Sequence, residues 1–227
     1  MAVVPYLMMG TKSVSRQIIT GDLYMMGNND SGCLGTGNTT HAWATPVQTG
    51  AESDWQNTIL NRNSYGGSLA VKSDGTLWAW GDNSVGVLGL GDTTARSSAV
   101  QVGSLTDWSE AATIGTNTAA AIKTDGTLWT WGENNYGQLG HGGTTNRSSP
   151  VQVGSLTDWA HIIPMYVRAT YALKTDGTLW MWGNVNGSNT EGNRRSSPVQ
   201  CGSDTDWTDA WGKGNGTYDF RMYAMKG

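Results

Sequence analysis

Three nearly identical octapeptides at a fixed interval constrain the fold of this chain more than any other feature. The motif Asp-Gly-Thr-Leu-Trp-x-Trp-Gly begins at Asp74, Asp125 and Asp176, which lie 51 residues apart. A weaker copy, Gly-Asp-Leu-Tyr-Met-Met-Gly, runs from Gly21 to Gly27. Tripeptides of the form Ser/Thr-Asp-Trp recur in the same order and end at Trp55, Trp108, Trp159 and Trp207. Several motifs with one order and nearly one spacing predict a protein built from stacked repeats.

Each unit has the pattern of short strands. Between Thr76 and Trp80 the side chains alternate, so Trp78 shares a face with Trp80 while Leu77 shares the other face with Ala79. Both faces are apolar, which predicts a strand covered on both sides. The Asp-Gly pair before it predicts a hairpin with a type I′ turn. A further strand at each Pro-Val-Gln segment and another after each Ser/Thr-Asp-Trp give four antiparallel strands per unit. The sequence therefore predicts an all-β fold, a β-propeller of four-stranded antiparallel blades.

The repeat spacing predicts one domain of about four to five blades over residues 1–227. The expected boundaries are a partial blade at 1–27, full blades at 46–81, 99–132 and 150–183, and a partial blade at 198–227. Incomplete terminal blades leave strand edges and apolar faces that need covering. We therefore expect closure by pairing of the termini or by other subunits, in preference to an open arc.

Composition excludes several classes of protein. The net charge of −4 argues against a nucleic-acid binder that follows phosphates with clustered Lys and Arg. The 12 tryptophans and 8 tyrosines argue against disorder. No apolar run approaches the roughly 20 residues of a membrane-spanning helix, and the N-terminal residues lack the pattern of a signal peptide. Two cysteines are too few for a disulfide framework. We expect no nucleic-acid partner and no membrane insertion.

Enzyme chemistry has no recognisable motif in this sequence. His41, His141 and His161 fall at three different positions within their units and show no ligand spacing, so we expect no metal site. No nucleophile elbow, phosphate loop or dinucleotide fingerprint is present, and the four glutamates are dispersed. The repeated aspartates occupy turns, whereas catalytic groups normally occur once. The sequence predicts no catalytic residues, no cofactor and a non-enzymatic protein.

The repeat motifs resemble a known family. The segments 123–132, 134–140 and 147–153 resemble the regulator of chromosome condensation repeat, and the resemblance extends over about residues 21–207. It implies a propeller of four-stranded blades, usually seven, which would need more than 227 residues. The residues of these motifs resemble those of the bacterial and bacteriophage branch of the family more than those of the eukaryotic branch. The nucleotide-exchange and chromatin-binding activities of the eukaryotic proteins are not implied, since the face and wedge they use have no counterpart here.

One set of loops varies between units and predicts a recognition surface. Segments 61–67, 164–168 and 211–218 occupy the same inter-strand position, so we expect them at one rim of the ring. Their Tyr, Asn, Gly, Trp and Arg content is typical of binding loops, although loops also vary without function. The candidate binding residues are Arg62, Tyr65, Tyr166, Arg168, Trp211, Lys213 and Tyr218.

The nine methionines predict an assembly seam. All of them lie between positions 1 and 26 or between 165 and 225, outside the best-preserved units. Methionine suits adaptable contact surfaces, and it also fills the core of degenerate terminal repeats. The seam hypothesis assigns Met8, Met9, Met222 and Met225 to a joint between the first and last blades or between subunits.

These observations favour a structural or recognition module. The first hypothesis is a bacteriophage virion protein, in a capsid decoration or a tail fibre, that assembles with other virion proteins or with itself, or attaches to a host. Its expected location is the virion, or otherwise the cytoplasm. A second hypothesis is a lectin-like bacterial surface module that binds cell-surface glycans, for which Trp43 and Trp211 lie outside the repeat frame. A third is an intracellular protein-interaction scaffold.

Overall fold

The protein is all-β over the residues that the structure describes. The computed structural model describes residues 20–56, 66–115, 117–165, 168–184, 194–214 and 220–227. Within them no helix has the length and apolar character needed to cross a bilayer. The strands in chain order are β1 (Tyr24–Gly27), β2 (Ala42–Gln48), β3 (Gly67–Val71), β4 (Leu77–Gly81), β5 (Arg96–Gln101), β6 (Trp108–Ile114), β7 (Thr118–Lys123), β8 (Leu128–Gly132), β9 (Arg147–Gln152), β10 (Trp159–Ile163), β11 (Ala169–Lys174), β12 (Leu179–Asn184), β13 (Arg194–Gln200), β14 (Trp207–Gly214) and β15 (Phe220–Lys226).

The strands form antiparallel sheets in chain order. Strands β6–β9 and β10–β13 make two four-stranded sheets, and β3–β5 make a three-stranded sheet. Strands β1 and β2 pair with each other, as do β14 and β15. The four-stranded antiparallel blade predicted from the sequence is therefore confirmed.

The predicted blade boundaries are shifted by one strand relative to the sheets. The bounds 99–132 and 150–183 grouped each Pro-Val-Gln strand with the strands that follow it. In the structure β9 pairs with β8, with Trp129 opposite Gln152 and Thr130 opposite Val151. The reason is that consecutive strands joined by a reversing loop pair directly, whereas the segment after β9 crosses to the next sheet. The two complete sheets therefore span Trp108–Gln152 and Trp159–Gln200.

Consecutive sheets pack face to face, as the alternation in the motif predicts. Trp78 and Trp80 lie on one face of β4, where their rings are 6.1 and 5.7 Å from the Trp55 ring. Leu77 and Ala79 lie on the other face and pack in a core that includes residues of β6 and β7. Similar cores join each sheet to the next along the chain. Every central strand is thus covered on both sides.

The hairpin turn differs from the expected type I′ turn. Gly126 N donates to Lys123 O at 2.9 Å, and Lys123 N donates to Thr127 O at 3.0 Å. Gly126 has φ of +78°, but no non-glycine residue in the described part of the chain has positive φ. A type I′ turn needs positive φ at both central residues. The turn is therefore of type I at Thr124 and Asp125, followed by a left-handed glycine.

Hydrogen bonds explain why Asp, Thr and Trp recur at fixed positions of the octapeptide. Asp125 Oδ1 accepts from Thr127 N at 2.9 Å and from Thr127 Oγ1 at 2.7 Å. Thr127 Oγ1 in turn accepts from Trp129 Nε1 at 2.9 Å. The hydrogen bonds from Thr127 lower the pKa of the Asp125 carboxyl. The same chain of bonds recurs in the units of Asp74 and Asp176.

We predict that Gly126→Ala destabilises the protein more than Gly154→Ala. Both glycines have positive φ, but a Cβ on Gly126 would lie 2.1 Å from Thr157 O, whereas nothing lies within 4 Å of a Cβ on Gly154. We expect a loss of about 1 kcal/mol at Gly154 and about 2–4 kcal/mol at Gly126. Urea unfolding followed by tryptophan fluorescence measures both, and equal losses would contradict the close approach.

Candidate interaction surface

The loop between β8 and β9, residues 133–146, reaches from its own sheet to the next one. Buried Asn134 organises it: Oδ1 accepts from Leu139 N at 2.9 Å, and Nδ2 donates to Gly143 O at 3.1 Å and to Thr145 O at 3.0 Å. On the next sheet, Thr170 Oγ1 donates to Gln138 O at 2.7 Å. The loop is therefore fixed from both sides, and the residues at its tip have defined positions.

Tyr136, at the tip of this loop, contacts two arginines from the following unit. The guanidinium carbon of Arg168 is 4.6 Å from the Tyr136 ring centroid, and that of Arg194 is 4.9 Å from it. Arg168 also donates a hydrogen bond to Tyr136 Oη. Guanidinium groups stack on aromatic faces because the ring quadrupole attracts the cation. Tyr136 thus links two positive charges that are 26 residues apart in sequence.

A buried amide lies next to the two arginines. Asn184 is 1% exposed, and among the described residues neither its Oδ1 nor its Nδ2 has a hydrogen-bond partner. Its backbone N donates to Arg168 O at 2.8 Å, and its Cα pairs with that of Arg194 across β12 and β13. Buried polar side chains are almost always hydrogen-bonded, so an unpaired one indicates a missing polar partner. We call Tyr136, Arg168, Asn184 and Arg194 the Tyr136 cluster.

The cluster departs from the repeat, although the loop that carries it does not. Asn29 and Asn83 make the same internal bonds as Asn134 in their own units. Two residues beyond these asparagines lie Ser31 and Val85, where the third unit has Tyr136. Sequence analysis identified Arg168 but missed Tyr136, Asn184 and Arg194. The aromatic substitution at Tyr136 in an otherwise repeated loop was the available signal.

The other predicted binding residues are not brought into this cluster by the described structure. Arg62, Tyr65, Tyr166 and Tyr218 lie outside the described residues. Trp211 and Lys213 were predicted in a loop, but they belong to β14, where their Cα atoms pair with those of Tyr223 and Arg221. The strand continues because β15 supplies hydrogen-bond partners as far as Gly214.

The predicted methionine seam stays a prediction. Met8 and Met9 lie outside the described residues, and Met222 lies in β15, where its side chain is not described. Met225 is exposed on the same strand.

Glu110 and His161 meet between two sheets, which sequence analysis did not predict. Glu110 Oε2 is 3.1 Å from His161 Nδ1, and Glu110 Oε1 accepts from Ile162 N at 3.0 Å. The two residues lie 51 positions apart, so they occupy the same place in consecutive units. That interval was the available signal in the sequence. The pair ties β6 to β10, and among the described residues no three His, Cys, Asp or Glu side chains are grouped to bind a metal.

Comparison with known proteins identifies the repeat. The model of the regulator of chromosome condensation (RCC1) repeat matches residues 74–122 and 125–163, and a second model of this repeat matches 111–138. The chain contains RCC1-like repeats. Tyr136 lies within the matched residues, whereas Arg168 and Arg194 lie beyond them, so the cluster joins a well-preserved repeat to a divergent one.

Similar proteins share the fold over part of their length. The X-linked retinitis pigmentosa GTPase regulator of the dog is 36% identical over 141 residues, which are 60% of this chain and 14% of that protein. Human WBSCR16 has a TM-score of 0.67 at 18% identity, with 90% of this chain and 54% of that chain covered. Yeast RCC1 (Prp20), solved bound to Kap60, has a TM-score of 0.66 at 16% identity, with 93% and 55% covered. These matches confirm the β-propeller fold. The chain spans about half the length of the two solved proteins.

We predict that Glu110→Ala destabilises the RCC1-like fold more than Glu110→Gln. Glutamine keeps an acceptor for Ile162 N, whereas alanine leaves this buried N–H unpaired. An unsatisfied buried donor costs about 1–3 kcal/mol, so we expect a difference of that size in the free energy of unfolding. Urea unfolding of both variants at one pH measures it, and identical stabilities would show that the hydrogen bond to Ile162 contributes nothing.

Proposed function

We propose that this chain is a non-enzymatic protein-interaction module that binds an acidic segment of a partner protein at the Tyr136 cluster. The observation that carries the proposal is the contact of both Arg168 and Arg194 with Tyr136, with guanidinium carbons 4.6 and 4.9 Å from the ring centroid. Fixed guanidinium groups bind carboxylates with two parallel hydrogen bonds, which gives direction as well as charge.

The chemistry of the cluster favours an acidic ligand over a neutral one. The whole chain has a net charge of −4, so a local pair of arginines, followed by Arg195, contrasts with the surrounding protein. Opposite charge between two surfaces accelerates their encounter and selects the partner.

The scaffold also suits recognition. The cluster combines Tyr136 from the loop, Arg168 from just before β11, and one residue each from β12 and β13. Asn134 orders the loop, and Thr170 of β11 holds it against the sheet. Preorganised side chains lose less conformational entropy on binding, which increases affinity. Yeast RCC1 offers a precedent for a propeller that engages another protein, since it was solved bound to Kap60. In this chain the partner is a proposal that rests on the arginines.

A labelled peptide of alternating glutamate and glycine tests the proposal. We expect the peptide to bind the full chain and to lose affinity as salt is raised, because the contacts are between charges. Arg168→Ala should weaken binding at least tenfold, and Tyr136→Ala should weaken it similarly by releasing both arginines. Fluorescence anisotropy measures each affinity.

Arg96→Ala is the matched control. Arg96, like Arg194, begins an outer strand; it pairs with Asp92 at 2.7 Å and lies outside the Tyr136 cluster. Its replacement should leave peptide affinity within twofold of the original. Equal binding by the Arg168 and Arg96 variants, or equal binding of a glutamine-glycine peptide, would reject the acidic partner.

The hypothesis that this protein belongs to a bacteriophage virion stays a prediction, based on the residues of the repeat motifs. The relatives from the dog, from human and from Arabidopsis thaliana give it no support. The glycan alternative has no described contact in its favour, since the side chains of Trp43 and Trp211 are not described. The identity of neighbouring genes, capsid and tail genes or others, decides the virion hypothesis.

A further inference from the structure

A half-buried histidine attaches the loop that carries Tyr136 to its own sheet. His141 Nε2 lies 2.9 Å from Thr130 Oγ1 and 3.2 Å from Val151 O. Thr130 Oγ1 donates its own hydrogen to Leu139 O at 2.6 Å, so it can only accept from the imidazole. His141 Nε2 therefore carries the ring hydrogen and donates it to Thr130 and Val151.

The other ring nitrogen of His141 is buried, and among the described residues it has no hydrogen-bond partner. In the neutral imidazole Nδ1 is a bare acceptor, whereas in the protonated ring it carries an N–H and shares a positive charge. Burying a charge without a partner costs far more free energy than burying a neutral group. The position of the ring in this loop therefore favours the neutral form.

No acidic group among the described residues offsets this cost. Glu133 is the acidic residue of the loop, and its Oε1 accepts from Asn135 Nδ2 at 2.9 Å. Burial lowers the pKa of His141, the hydrogen bond to Val151 O raises it in part, and the positive charge of Arg147 lowers it further. The surroundings of the ring thus act against its protonation.

The neighbouring sheet adds positive charge beside the ring. Gly142 N donates to Ser196 O at 2.7 Å, so β13 packs against the loop next to His141. The charged residues of β13 are Arg194 and Arg195. Strand β9 likewise has an arginine as its charged residue, and β8 has no charged residue. None of these three strands offers a carboxylate that could pair with a protonated ring.

Backbone hydrogen bonds connect the segment of His141 to the tip of the loop. Gly140 N donates to Gly137 O at 3.0 Å, and Gly137 N donates to Asn134 O at 3.0 Å. Tyr136 lies between the residues that these bonds join. When the His141 ring leaves its place, the loop loses an attachment to its own sheet, and the order of the tip decreases with it.

We propose that protonation of His141 is a pH switch that loosens the loop 133–146 and so weakens binding at the Tyr136 cluster. The inference rests on the proposed function, because it concerns the same site. The folded loop favours the neutral ring, so the stabilisation that His141 provides is complete above about pH 6.5, the ordinary pKa of histidine. It is lost as the pH falls through the lowered pKa of His141 in the folded protein.

The second unit supplies a matched control variant. The residues 51 positions before Thr130 and His141 are Ala79 and Leu90, and both are apolar. Ala79 lies in the core between the sheets, and Leu90 packs against it. Protein that carries both Thr130→Ala and His141→Leu therefore has a packing that already occurs in this fold, but its loop contains no histidine.

Peptide binding at two pH values tests the switch. Between about pH 7.5 and about pH 5.0 we expect the affinity of the original protein for the glutamate-glycine peptide to fall at least fivefold. The double variant should match the original protein at the higher pH and change less than twofold, since glutamate stays largely ionised over this range. Equal losses of affinity in the two proteins would overturn the switch.

Amide hydrogen exchange measures the loop without any peptide. Leu139 N donates to Asn134 Oδ1 and Leu88 N donates to Asn83 Oδ1, each at 2.9 Å, so the two amides are matched probes of equivalent loops. The loop of Leu88 contains no histidine. In the original protein the same acidification should lower the protection of Leu139 relative to that of Leu88 at least fivefold, and in the double variant the ratio should stay constant.

The two measurements separate this inference from the proposed function. A peptide that fails to bind at the higher pH rejects the acidic partner, and the exchange ratio then decides the switch by itself. An exchange ratio that does not change with pH in the original protein overturns the switch, even where the peptide binds.

Discussion

The structure depends on the contact between each sheet and the loop of the preceding unit. Trp131 Nε1 donates to Val87 O at 2.8 Å, and Trp80 Nε1 donates to Cys33 O at 2.9 Å. A glycine in the loop makes this approach possible: a Cβ on Gly89 would lie 2.7 Å from Trp131 Nε1. Since a buried indole N–H needs an acceptor, the loop carbonyl supplies what the sheet itself cannot. In the sheets β3–β5 and β6–β9 the preceding unit therefore supplies the acceptor for a buried indole, whereas Trp182 Nε1 has no partner among the described residues.

Because of this contact, some positions of the loop are restricted to one residue type, whereas others vary between units. Asn83 and Asn134 are buried and bond to their own loops, so their exchange would release the contact to the next sheet. Residues at the loop tip do not take part in it, and they differ between units, with Val85 in one and Tyr136 in the next. A repeat protein of this kind varies its tips without disturbing its core. The Tyr136 cluster is an instance of such variation.

The fold could be predicted from the sequence because its signals are local and repeated. The alternation of Trp78 and Trp80 with Leu77 and Ala79 depends only on strand geometry, and the structure confirms it. The grouping of strands into sheets was wrong because pairing partners on either side of a Pro-Val-Gln strand look alike in sequence. The turn type was wrong because Asp-Gly suits two hairpin geometries, which differ in the φ of the aspartate.

The candidate site was harder to predict because its members come from different units. Arg168 was found as a loop residue, but its contact with Tyr136 spans 32 positions and depends on how two sheets pack. Glu110 and His161 meet for the same reason, although their 51-residue interval records it in the sequence. Equivalent positions in consecutive units become neighbours in space. Two different residue types at equivalent positions, such as Glu110 and His161, can therefore form a contact that the sequence already indicates.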